Sequence, residues 1–147
     1  MREIMFRGKH VDRKKWVYGG YSLYPHTRFP CKPTIYEVDA GCWHPVEVIP
    51  ETVGQYIGQT DKNGKKIFEG DILEDTPSWR KKREFIVVLF KETSFCTIDL
   101  ELFRKNKLEY AYPIDDCDYG VCINMFEVVG NIHDNPELIG SDSNNGC

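Results

Sequence analysis

The sequence predicts a mainly β fold, and three observations carry that expectation. Aromatic residues are frequent, with eight Tyr, eight Phe and three Trp in 147 residues, and they stand beside β-branched residues as a pleated, half-buried surface requires. Apolar and polar residues alternate with a period of two in several short runs. Turn residues separate those runs, most densely in Glu51–Leu73, which reads ETVGQYIGQTDKNGKKIFEGDIL and holds four glycines.

Taken in order, residues 1–24 predict a hairpin: Ile4–Arg7 runs out, Asp12-Arg13-Lys14-Lys15 turns, and Trp16–Tyr21 returns. Pro25, Pro30 and Pro33 make the next segment a loop. Thr34–Val38 and Val46–Ile49 then form a second hairpin around Asp39-Ala40-Gly41, and Pro50 ends it. In the central stretch Val53, Gln55, Ile57 and Gln59 share one parity, and Thr52, Gly54, Tyr56 and Gly58 the other. Asp61-Lys62-Asn63-Gly64 is the strongest local turn. An Asp at its first position bonds backbone two residues on, and Asn-Gly supplies the positive φ angles of a tight hairpin. Lys65–Phe68 returns as a strand, and Gly70 allows a second sharp bend in Glu69-Gly70-Asp71.

A meander follows, with strands at Ile72–Glu74, Phe85–Phe90 and Phe95–Leu100, a loop at Pro77-Ser78 and a turn at Glu92-Thr93-Ser94. The apolar run Phe85–Phe90 predicts burial on both faces. Leu100–Leu108 reads as a short helix with no evident cap, Asp115–Tyr119 as an acidic loop and Glu127–Ile132 as a closing strand. Asn135 is expected to cap a helix that starts at Pro136. The expected organisation is an N-terminal β lobe over residues 1–50, a second part over 51–139 and a frayed tail over 140–147, together one compact unit.

Several of these segments resemble one family. Thr52-Val53-Gly54-Gln55-Tyr56-Ile57-Gly58, then Asp61-Lys62-Asn63-Gly64-Lys65 and Ile67-Phe68-Glu69-Gly70-Asp71-Ile72, are similar to the central signature of the YopX family of phage and prophage proteins. The opening Met1-Arg2-Glu3-Ile4-Met5-Phe6-Arg7-Gly8 and the closing Val128–Ile139 resemble the family's two ends. The resemblance spans nearly the whole chain. It implies a phage or prophage setting and a mainly β fold of several coiled sheets containing an SH3-like barrel, and it names no biochemical activity.

Charge and composition bound the function. A net charge of −4 and 41% hydrophobic residues describe a protein with a real core and argue against general coating of nucleic acid. No window approaches a membrane span and no secretory signal opens the chain, so a location in the bacterial cytoplasm is expected. In that compartment the six cysteines, Cys31, Cys42, Cys96, Cys117, Cys122 and Cys147, are expected as reduced thiols.

Candidate sites are few. Trp79-Arg80-Lys81-Lys82-Arg83 sets four cations beside an aromatic, which grips phosphate while a base stacks; Lys14-Lys15-Trp16 repeats that grammar on the first hairpin. The plainer reading of both is a solvated loop. Cys42 and His44, with Cys31 upstream, offer too few ligands for zinc, and no metal site is expected. Asp115, Asp116 and Asp118 fail the calcium-loop register, because a start at Asp116 puts Val121 where glycine belongs. Glu69 and Asp71 flank the Gly70 bend and read as turn-bonding carboxylates, while Asp61, Asn63 and Gly64 read as the turn formers of the bend before it. No catalytic signature is present. The expectation is therefore a non-enzymatic accessory protein without cofactor that binds a protein partner or itself, with nucleic-acid binding as the alternative and a hydrolase as a weaker third.

Overall fold

The computed structural model describes residues 3–22, 32–75, 83–114 and 122–140, distributed over two compact units, Met1–Gly58 and Gln59–Cys147. The mainly β expectation holds, with strands paired in antiparallel sheets and only two short α-helices among the described residues.

In the first unit β1 (Phe6–Lys9), β2 (Trp16–Ser22), β3 (Thr34–Asp39), β4 (Cys42–Glu47) and β5 (Gly54–Thr60) neighbour one another in the order β4-β3-β2-β1-β5. The tail of β5 runs on into the second unit. The β1–β2 turn is held by His10, whose Nδ1 accepts the N–H groups of Asp12 at 3.0 Å and Arg13 at 3.2 Å. Lys14 completes it at φ +56°. β4 begins four residues before the predicted Val46. Ala40 at φ +50° and Gly41 at φ +81° form a two-residue loop, so Asp39 pairs with Cys42 at once. Gly19 is required by space: a Cβ there would lie 2.0 Å from the Tyr36 carbonyl oxygen.

The cross-strand pairs sort the side chains of this sheet onto two faces. One face carries Phe6, Val17, Tyr21, Ile35 and Val46, which gather with Val48 and Val53 into the first core. Val17 and Ile35 are fully buried, each contributing about 1.5–3 kcal/mol on burial.

The second unit holds β6 (Lys66–Phe68), β7 (Asp71–Asp75), β8 (Glu84–Lys91), β9 (Ser94–Asp99), β10 (Tyr112–Pro113) and β11 (Glu127–Asn131). Five of them form a sheet in the order β10-β9-β8-β7-β11. Its two ends are not joined, and among the described residues no closed barrel forms. Ile72, Val87, Ile98 and Leu100 make the second core, against which Phe103, Leu138 and Ile139 pack. The predicted two-sided burial of β8 holds at Val87 and Val88, both fully buried, and ends at Phe90, which is exposed.

α1 (Leu100–Arg104) is capped at both ends, contrary to the uncapped helix the sequence suggested. Asp99 Oδ1 accepts the Glu101 N–H at 2.9 Å. Asn106, at φ +55°, ends the helix, with Asn106 N–H on Phe103 O and Lys107 N–H on Leu102 O. α2 (Pro136–Gly140) starts where predicted, but Asn135 Oδ1 faces backwards and accepts the Asn131 N–H at 3.1 Å.

Candidate functional site

The residues that mark the sequence most strongly are occupied in holding the second unit together. Asp61 is buried, and its carboxylate receives three backbone N–H groups. Asn63 and Lys65 donate to Oδ1 at 2.8 and 2.9 Å, and Val128 donates to Oδ2 at 3.0 Å. Burial alone would raise its pKa, but the three donors and the Lys65 charge outweigh that, leaving it below the ordinary carboxylate value. Lys62 N–H reaches Phe126 O at 2.9 Å, and Asn63 Nδ2 reaches Glu127 Oε1 at 3.3 Å. The turn differs from the predicted tight one, since only Gly64 takes positive φ. Gly64 N–H closes on Asp61 O at 3.0 Å, giving a three-residue loop ending in a left-handed glycine.

The second bend works in the same way. Gly70, at φ +87°, donates to Val88 O at 2.8 Å and accepts the Ile132 N–H at 2.9 Å. Asp71 is buried, and its Oδ2 accepts the Phe68 N–H at 2.8 Å. Beside it Asn131 Oδ1 accepts the N–H groups of His133 and Asp134 at 3.0 and 2.8 Å. The central signature and the closing segment are thus one hydrogen-bonded assembly, a link that the local turn reading of Asp61, Asn63, Gly64, Gly70 and Asp71 does not contain.

The other candidates separate. Trp79, Arg80, Lys81 and Lys82 lie outside the described residues, as do Asp115, Asp116, Asp118, Cys31, Cys117 and Cys147. Arg83 Nε sits 3.2 Å from Glu74 Oε1. Lys14 and Lys15 are exposed on the first turn, and Trp16 is half-buried with the Arg7 guanidinium carbon 4.5 Å and the Lys9 Nζ 5.5 Å from its ring centroid. Cys42 and His44 share a face of β4, but among the described residues no three His, Cys, Asp or Glu side chains are placed to hold a metal. Cys42, Cys96 and Cys122 carry free thiols. No helix among the described residues is long and apolar enough to cross a membrane.

Two open features stand out among the described residues. A cleft of about 420 Å³ in the second unit is lined by Phe85, Asp99, Leu100, Glu101, Arg104 and Leu138 among others. Its polar groups are engaged within the protein. Arg104 donates through Nε and Nη2 to Leu138 O and through Nη1 to Glu101, while Asp99 caps α1.

The second feature is the outer face of the first sheet, which sequence reasoning did not assemble. The pairs Arg7↔Tyr18, Lys9↔Trp16, Gly20↔Tyr36, Tyr36↔Pro45 and Val38↔Trp43 place these side chains on the face opposite the first core. It is buried at Arg7 and open farther across, where Tyr18 is 44%, Val38 54% and Trp43 65% exposed. Gly20 leaves the sheet bare between Tyr18 and Tyr36, since a Cβ there would meet nothing within 4 Å. The signal lay in the alternation Trp16-Val17-Tyr18 and Tyr36-Glu37-Val38, whose common face only the register reveals.

Fold and geometry together define an all-β protein of two compact units whose most distinctive residues are turn-forming hydrogen-bond acceptors and glycines. The YopX protein family model matches residues 5–140, and the chain belongs to that family. Protein EF1440 from Enterococcus faecalis, known from a crystal structure, is similar in fold at a TM-score of 0.53 and 21% identity, over 95% of this chain and 99% of that one. No curated protein matches the chain.

Proposed function

We propose that this protein is a non-enzymatic binding module of a phage or prophage, acting in the bacterial cytoplasm through the outer face of its first sheet. The observation that carries the reading is the contrast between the two faces. Val17 and Ile35 are fully buried on one, while Tyr18, Val38 and Trp43 stand exposed together on the other. Large apolar side chains grouped in one exposed patch favour an interaction surface. Membership in the YopX family supports the accessory setting.

The geometry favours docking across the face over strand addition at its edge. β4 is the edge strand. Val48 N–H bonds to Pro33 O, and the alternation of an antiparallel ladder then turns the backbone groups of Val46, His44 and Cys42 toward β3. Trp43, Pro45 and Glu47 turn theirs outward. Pro45 has no N–H to offer, and Glu47 O already accepts the Val11 N–H at 3.2 Å, so the edge is blunted against an added strand. A partner, whether another macromolecule or a second copy of this chain, therefore meets rings rather than backbone.

The test is the paired substitution Val38→Ser and Trp43→Ser. Both positions are exposed, so the thermal midpoint should stay within a few degrees of wild type, about what a surface change of ±0.5 kcal/mol allows. Binding or self-association lost in that pair supports the reading; association that survives it places the working surface elsewhere.

A further inference from the structure

Resting on that surface, we infer that its occupant is single-stranded nucleic acid, with bases stacked among the rings around Gly20 and phosphates drawn to the cations at the β1–β2 end. The face has the shape for it. Tyr18 and Gly20 lie two residues apart on β2, Gly20 faces Tyr36 across the strand pair, and no atom stands above it within 4 Å of a Cβ position. A bare strip of sheet between two aromatic side chains accepts a planar ring, and Trp43 two strands from β2 offers a further platform.

Charge separates a nucleic acid from an apolar protein segment. The chain carries a net charge of −4, yet residues 1–58 hold eight Lys and Arg against six Asp and Glu, while residues 59–147 hold eleven against seventeen. The excess positive charge falls on the unit that presents the rings. On the face itself Arg7 and Lys9 lie over Trp16, and the adjoining turn exposes Arg13, Lys14 and Lys15. Asp12 is the carboxylate of that turn, and Glu47, whose backbone carbonyl accepts the turn's Val11 N–H, has its carboxylate 3.5 Å from Lys32. Unpaired bases are needed because those of a duplex are already stacked on one another.

The experiment is a fluorescence-anisotropy titration of the full chain with labelled single-stranded DNA, single-stranded RNA and duplex DNA, at low and near-physiological salt. Three lysine or arginine contacts to a single strand predict a log–log salt slope near about −2, or roughly a fifteenfold loss for a fourfold rise in salt. A Cβ at Gly20 meets nothing within 4 Å and the φ there is not one that side chains avoid, so Gly20→Leu should keep the fold while covering the strip. It should weaken single-strand binding about tenfold or more, as should Tyr18→Ala, since each lost stacked base costs on that order. Lys14→Gly with Lys15→Ser relieves a positive φ while removing two charges, and should flatten the salt slope by about one unit. Absence of binding at low salt overturns the inference, as does equal affinity for duplex or full binding by Gly20→Leu. Sedimentation of the same proteins distinguishes its failure from that of the underlying reading. Self-association abolished by Val38→Ser with Trp43→Ser, in the absence of nucleic-acid binding, keeps the face and removes this occupant; neither behaviour removes both.

Discussion

At Asp61 a single carboxylate satisfies backbone donors from its own turn and from Val128, 67 residues further along the chain. Asp61→Asn keeps one acceptor oxygen and turns an amide NH₂ toward N–H groups, so it should cost about 1–3 kcal/mol, the order expected for a buried donor left without a partner. The pH dependence gives a sharper check. The folded pKa lies below the ordinary aspartate value of 3.8, so the carboxylate contributes stability that is present above that value and lost as pH falls through the folded pKa. Asn does not titrate. The gap between wild type and Asp61→Asn in urea midpoints should therefore narrow on acidification below 3.8; a gap independent of pH would contradict this account. Gly130 offers a steric counterpart. A Cβ there would lie 2.3 Å from Asn135 Oδ1, and Gly130→Ala should destabilise by about 1–3 kcal/mol by forcing that side chain off Asn131. Gly130→Ala in an Asn135→Ala background should cost less than the two changes added, and strict additivity would refute the contact.

Among the elements, the hairpins are legible in the sequence, because Asp12–Lys15, Asp39–Gly41 and Asp61–Gly64 carry their turn chemistry in adjacent residues. The caps of α1 were equally local but were overlooked: Asp99 stands directly before Leu100, and Asn106 has the short polar side chain that tolerates the left-handed region. Asp99→Ala should cost about 1 kcal/mol in thermal or urea unfolding. Ala40→Asn, at a position held at φ +50°, should instead stabilise by up to about 1 kcal/mol, because Asn visits that region more readily than Ala. An unchanged or lower midpoint would mean that the β3–β4 loop is not held in this conformation in solution. What adjacency could not supply was register. The ladder Val38↔Trp43 and the pair Gly20↔Tyr36 join residues from three strands on one face, and no local pattern states which parity of each strand turns to the core. For the same reason the long reach of Asp61 to Val128 was invisible, whereas its bond to Asn63 was expected.

Over the whole molecule each unit has its own core, Val17, Ile35 and Val48 in one and Ile72, Val87, Ile98 and Leu100 in the other. Ile35→Ala and Ile72→Ala should each cost about 2–5 kcal/mol, and hydrogen exchange should lose protection first in β1–β4 for the former and in β7–β9 for the latter. Equal loss everywhere from either change would show that the two cores open as one. Sequence alternation located both sets of core strands; the implied barrel was not among what the second sheet displays, because β10 and β11 end it unpaired with each other. The Asp61 buckle also bears on how the chain is made. A ribosome delivers Asn63 and Lys65 to Oδ1 almost as soon as Asp61 emerges, but Val128 for Oδ2 arrives only after 67 residues of further synthesis. A turn formed during synthesis would have one oxygen satisfied and the other waiting until β11 is translated, when the Val128 N–H closes the edge of the second sheet onto it.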